Sequence, residues 1–139
     1  MAVSTYQIEV ATKGYGDLVD VTGAVEGFVA ESGVKEGLAT VFVPGATAAV
    51  TTIEYEPGLV SDLKAALERL VPRDMPYAHD SRWGDGNGFS HVRAALVKAS
   101  LSVPVAKGRL ITGTWQQIVV IDFDNRARRR RVVVQILGE

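Results

Sequence analysis

The chain has 139 residues, no cysteine and a formal net charge of -1, with 47% hydrophobic and 22% charged side chains. That length suits a single domain, predicted over residues 1–139, with enough interior to need no covalent staple. Disulfide frameworks, thiolate metal sites and cysteine nucleophiles are excluded, and so is the polar, highly charged profile of a disordered chain.

The N-terminal run MAVSTYQIEVATKGYGDL lacks the basic-then-apolar order of a secretory signal, and no window reaches the roughly 20 apolar residues of a membrane span. The expectation is a cytoplasmic protein with no membrane contact. Charge is distributed unevenly: residues 1–70 carry four basic and ten acidic side chains (-6), residues 71–139 eleven and six (+5). Such asymmetry draws an anionic ligand to one face or joins the surfaces of neighbouring subunits.

Along the chain, VSTYQIEV (residues 3–10) is rich in β-branched residues and predicts a first strand. Thr22 can cap a helix through about Ser32, with Val25, Phe28 and Val29 on one face and Gly33 at its end. LATVFVPG and AAVTTIEYE then predict two neighbouring strands separated by Pro44, Gly45 and Ala46. After Pro57-Gly58, the residues Leu59, Val60, Leu63, Ala66, Leu67 and Leu70 recur at helical spacing, with Asp62 near the start and Arg69 near the end.

Pro72 stops that helix, and residues 72–88 read as a long loop of the kind that is functional or mobile. Another helix is predicted from about Phe89 to Ala99, burying Val92, Ala95, Leu96 and Ala99. SLSVPVA and RLITGTW predict a hairpin turned by Lys107-Gly108, and WQQIVVIDF is predicted to pair through Asp124-Asn125 with RRVVVQIL. Two or three helices between runs of adjacent strands argue for one compact α+β domain with a mainly antiparallel sheet or sandwich, not alternating βαβ units.

The loop holds both histidines, in YAHDSRWGDGNGFSH. Its Gly84-Asp85-Gly86-Asn87-Gly88 segment precedes a helix, a setting in which backbone N–H groups hold phosphate. The Walker Lys-Ser/Thr ending and the dinucleotide glycine spacing are absent, and the plain alternative is that Asn87 caps the helix while the glycines satisfy turn geometry. His79 and His91 lie twelve positions apart, which matches no zinc signature. They could still converge, with Asp80 or Asp85 as a third ligand. His91, in the first turns of a helix, is placed to exchange a proton near pH 7.

Five arginines, Arg126 and Arg128 to Arg131, fall within six residues. On a strand, Arg128 and Arg130 share one face and Arg129 and Arg131 the other. One reading is a solvated edge or turn paired with Asp122, Asp124 or another subunit; the other is an anion site, since guanidinium forks match phosphate oxygens. Nucleic acid is disfavoured by the slightly acidic chain and the lack of an aromatic-interleaved basic stripe. Trp115 is read as a core or interface anchor, and Gln116, entering an apolar strand, as closing a polar network or facing a pocket.

The run Ser100-x-x-Val103-x-Val105-x-x-Gly108, followed by Gly113-Thr114-Trp115-Gln116-x-Ile118, resembles the signature of the secondary thiamine-phosphate synthases. FVPGATAAVTTIEYEPG, WGDGNGFSH, GTWQQIVVIDFDNR and the terminal Gly138-Glu139 look similar too, so the likeness covers nearly the whole domain. The resemblance implies an α+β fold, a homotrimer, and a polar site between subunits involving the histidine loop and the GTWQ strand. The reaction it implies joins a pyrimidine diphosphate to a thiazole phosphate and releases pyrophosphate, with magnesium, another divalent metal or cationic side chains stabilising the leaving group. The chain departs from that family's more familiar branch in having Gly45 and Ala46 before Thr47, where a histidine is expected; Glu54 matches an acidic position.

The functional expectation is an enzyme handling a small phosphorylated metabolite. His79, His91 and Glu54 are its acid/base groups, and Asp85, Asn87, Thr47, Trp115, Gln116 and Arg130 its ligand-binding groups. His79 and His91 are the metal candidates. The alternative is a non-catalytic trimeric module that binds a phosphorylated metabolite without turning it over.

Overall fold

The computed structural model describes residues 1–139. Its elements are β1 (Ala2–Thr12), β2 (Asp17–Asp20), α1 (Thr22–Ser32), β3 (Glu36–Phe42), β4 (Ala48–Ile53), α2 (Pro57–Leu70), α3 (Ala78–Trp83), α4 (Gly88–Val97), β5 (Ser100–Ala106), β6 (Arg109–Leu110), β7 (Gln117–Asp122) and β8 (Arg128–Gly138). One sheet has the order β1-β8-β3-β5-β6 and the other β2-β7-β4. Every pairing is antiparallel.

Residue patterns explain the layering. In β8, Val132, Val134 and Ile136 are buried while Arg129, Arg131, Gln135 and Leu137 are exposed, the alternation of a sheet with one wet face. In β7, Ile118, Val119, Val120 and Ile121 are all buried, as expected of a strand covered on both faces. Ile118 and Val120 join Val50, Val103, Val134 and the α1 residues Val25 and Val29 in the core between the sheets. Val119, Ile121 and Phe123 join Leu67 of α2 and Ala94 of α4 in a second core behind the small sheet. The order is therefore large sheet, small sheet, then α2 and α4, with α1 contributing to the core between the sheets.

The α+β class, the single domain's mainly antiparallel strands and the sandwich are as expected from the sequence. There are four helices rather than two or three, because α3 forms inside the segment read as loop. β3 and β4 are not neighbours: residues 43–47 carry the chain from one sheet to the other, and both strands contribute to the core between the sheets. β7 and β8 likewise lie in different sheets, and β8 pairs with β1 and β3. Pairing and packing across a core leave the same alternation in a sequence, so the pattern predicts β3 beside β4 and β7 paired with β8 where the fold separates them. Since β8 is central in its sheet, the arginine run is not an edge. Thr22 does not cap α1 with its side chain; its Oγ1 donates to Asp20 and accepts from the N–H of Ile118.

The phase of α4 also differs from expectation. Phe89, Ser90, Arg93 and Ala94 are buried, whereas Val92, Ala95 and Leu96 are exposed. The helix is turned by about one position because Arg93 reaches inward: its Nε and Nη2 donate to the carbonyl of Val71 at 3.0 and 2.8 Å, and Nη2 also donates to Glu68 Oε2 at 2.7 Å. A buried guanidinium is tolerated when its donors are so occupied.

Candidate functional site

The histidine segment is held from both ends. The Tyr77 hydroxyl donates to the carbonyl of Pro72 at 2.6 Å, and α3 ends on Gly84, whose φ of 67° is left-handed and whose N–H donates to the Asp80 carbonyl. That conformation suits glycine, which has no Cβ to clash. Arg93 anchors α4 to the end of α2. Where α3 meets α4, Gly88 packs so closely that a Cβ there would lie 2.7 Å from Cβ of Tyr77.

This frame brings His79, Asp80 and Asp85 together. His79 Nδ1 lies 3.3 Å from Asp80 Oδ1 and 3.4 Å from Asp85 Oδ1, and the three ligand atoms fall within 4.8 Å of one another. Both carboxylate oxygens are oriented by backbone donors, Asp80 by the N–H of Gly88 at 2.8 Å and Asp85 by that of Asn87 at 3.2 Å. The imidazole of His91 lies against that of His79, tilted by 34° with ring centres 4.4 Å apart. His91 thus forms a wall of the cluster rather than a third point of the donor triangle, and Asp80 takes the place the sequence reading gave to His91.

Asn87 does not cap α4 with its side chain. Its Oδ1 accepts instead from Ser90 Oγ at 2.5 Å and from the N–H of Asn125 at 3.2 Å, while Asp80 takes the N–H of Gly88 that opens the helix. Ser90 Oγ also contacts the Phe123 carbonyl, and Asn125 Nδ2 donates to the carbonyl of Asp85. These bonds seat the histidine segment on the turn after β7.

Thr47 and Arg130 belong to a second group at that same end of β7. Arg130 lies on the inward face of β8, one step beyond Val132, and its Nε and Nη2 donate to the two oxygens of Asp122 at 2.7 and 2.8 Å. Nη2 also donates to Thr47 Oγ1, which donates to Asp124 Oδ2. Arg128 binds that same Asp124 oxygen, and Thr12 donates to Asp122. The pairs tie β8 and β1 of one sheet to β7 and the entry to β4 in the other. Burial alone would push the Asp124 carboxyl up, but hydrogen bonds from Thr47 and Arg128 and the charges of Arg128 and Arg130 hold it below its ordinary range. Asp122 raises the Arg130 guanidinium above its ordinary value against the opposing effect of burial. Asp124 Oδ1 is buried without a partner.

Glu54, Trp115 and Gln116 stand apart from both groups. Glu54 and Trp115 line a cleft of about 420 Å³ with Asp20, Tyr55 and Thr114. Gln116 donates to Thr52 Oγ1 and accepts from the N–H of Gly113. In the register of the small sheet, Ile53 pairs with Gln117 and Ala48 with Asp122, so this group and the histidine segment lie at opposite ends of a strand spanning roughly 17 Å. Trp115 is 74% exposed and anchors no core within the chain.

Asp80 was legible as an alternative ligand beside His79. Arg93 and Gly88 were not recognised as the residues that place the segment. Arg93 left one signal, an arginine on a helix whose apolar residues suggested a different face.

The chain matches the model of the UPF0047 protein YjbQ-like family over residues 6–139. It is 37% identical over 139 residues to a UPF0047 protein of Methanothermobacter thermautotrophicus, covering 100% of this chain and 95% of that protein. It is also 43% identical over 115 residues to a UPF0047 protein of Mycobacterium bovis, covering 83% and 87%. Its fold superposes with a TM-score of 0.94 on the crystal structure of a YbjQ-like protein of unknown function from Sulfolobus solfataricus, at 34% identity and 99% coverage of both chains. A hypothetical protein of Aeropyrum pernix gives 0.90, at 35% identity and 98% and 99% coverage. These names overturn the resemblance to secondary thiamine-phosphate synthases: the relatives are UPF0047 proteins. In the motif that carried the resemblance, Val103, Val105 and Ile118 are buried as packing demands, while Gly113, Thr114, Trp115 and Gln116 are exposed; the likeness is one of family and fold and assigns no reaction.

Proposed function

Since the chain belongs to the YjbQ-like UPF0047 family, whose solved relatives leave the chemistry open, we propose from its own side chains that it is a divalent-cation-dependent enzyme acting on a small phosphorylated metabolite. One observation carries the reading: His79 Nδ1 stands 3.3 and 3.4 Å from two carboxylate oxygens, the separation of neighbouring ligands around an ion bound at about 2.1 Å. The backbone N–H groups on Asp80 and Asp85 supply the outer orientation that metal ligands need. Three protein donors, with Asp85 47% exposed, leave room for a substrate oxygen, as catalytic rather than structural sites do. One imidazole and two carboxylates suit zinc or manganese better than magnesium, which favours oxygen donors.

When bound, such a cation supplies Lewis-acid polarisation of a phosphoryl oxygen. His91 beside the cluster donates or accepts the proton that such a reaction moves. A homotrimer is part of the proposal, because the exposed Trp115 and the cleft at Glu54 are too far along β7 to meet the histidines of their own chain; a neighbouring copy brings them there.

Calorimetry with zinc and manganese should find one ion per chain, with Asp85→Asn weakening affinity by more than the roughly 10–100-fold typical of an outer-sphere partner. His91→Gln should keep the ion but lower turnover of a phosphate-monoester panel by about 100-fold or more. Absence of stoichiometric binding, or full activity in His91→Gln, would refute the reading.

A further inference from the structure

The Arg130 guanidinium has only 10% of its side-chain surface exposed, and two of its three nitrogens are fully engaged: Nε and Nη2 hold Asp122, and Nη2 also holds Thr47. Nη1 has no partner in these bonds. It lies against Gly45, where a Cβ would stand 3.1 Å from it and where nothing else comes within 4 Å. Gly45 has a φ of 128°, on the side of the map that favours glycine, so both backbone and space keep this position without a side chain. Residues 45–47 then cross the guanidinium from Nη1 to Nη2. None of their backbone N–H groups donates to a backbone carbonyl, although Thr47 is buried and its own carbonyl accepts from Phe123.

A fixed guanidinium edge beside successive free amides is the donor set that holds an oxyanion. We propose that Arg130 Nη1 and the amides of Gly45, Ala46 and Thr47 form an oxyanion-binding pit, taking an oxygen of a phosphate or carboxylate group. The pit is independent of the cation cluster, shares no residue with it, and does not require that the chain be an enzyme. Asp122 and Asp124 balance Arg128 and Arg130, so the surrounding network is neutral; directed hydrogen bonds rather than uncompensated charge provide the affinity. Asp122 also prevents the guanidinium from swinging out, which makes the free edge a rigid feature.

Titration of the ¹⁵N-labelled full chain with inorganic phosphate, and separately with acetate, tests this. The amide resonances of Gly45, Ala46 and Thr47 and the Arg130 side-chain N–H signals should shift saturably with at least one ion, and the comparison tells phosphate from carboxylate. Gly45→Ala sets a methyl against Nη1 without removing a member of any ion pair and should weaken binding roughly tenfold, equivalent to about 1.4 kcal/mol. Arg129→Ala, which removes a charge from the exposed face of β8, should leave it unchanged. Non-saturating shifts with both ions, saturation undiminished in Gly45→Ala, or shifts centred on Arg129 and Arg131 would overturn the proposal. Should Gly45→Ala not fold, the wild-type titration decides alone.

Discussion

At the scale of single residues, the Asp122–Arg130 pair is the most exacting feature. Asp122 is fully buried and accepts from Thr12, from both engaged nitrogens of Arg130 and from the N–H of Asp124. Removing one partner strands the other charge in the interior, so Arg130→Met should cost about 3–5 kcal/mol, read from urea denaturation. Asp124 adds a pH dependence. Its folded carboxyl titrates below the ordinary value of 3.8, so its contribution is fully present above that value and is lost as pH falls through the lower folded value. Thr47→Val removes one of the hydrogen bonds that lower it; the acid limb of the stability profile, followed by circular dichroism, should move to higher pH. An acid limb unchanged in that variant would contradict the role given to Thr47.

At the scale of elements, the decisive contact is the corner between α3 and α4. Short helices are marginal by themselves and depend on packing; α3 has six residues and none is buried. Its position rests on Asp80 receiving the Gly88 N–H and on Tyr77 against Gly88. Gly88→Ala should therefore destabilise the fold by about 1–3 kcal/mol through overpacking, and it should also weaken cation binding by separating Asp80 from His79. Thermal melts and calorimetry on that variant distinguish a corner that positions the ligands from one that merely connects two helices. The segment's length and polarity set it apart in the sequence, but did not mark it as a helix. Its six residues are too few for an apolar period, and its fixing contacts come from Pro72 and α4.

At the scale of the whole molecule, three groups of polar residues lie at two ends of the small sheet, and the proposed homotrimer is what would bring them together. Light scattering coupled to gel filtration should give three times the 14.9 kDa chain mass, and Trp115→Ala should reduce it if the exposed indole is an interface anchor. No helix is long and apolar enough to cross a membrane. The sequence by itself determined the α+β class, most strand positions, the end of α1 at Gly33 and the alternation that separates Arg128 and Arg130 from Arg129 and Arg131, because these follow from local backbone preference and residue period. Only the tertiary structure decided which strands pair and which face each other, how α4 is rotated, and that Asp80 rather than His91 completes the donor triangle with His79 and Asp85. Those outcomes depend on contacts between residues distant in the chain, such as Arg93 with Val71 and Arg130 with Asp122, whose energies no local period records.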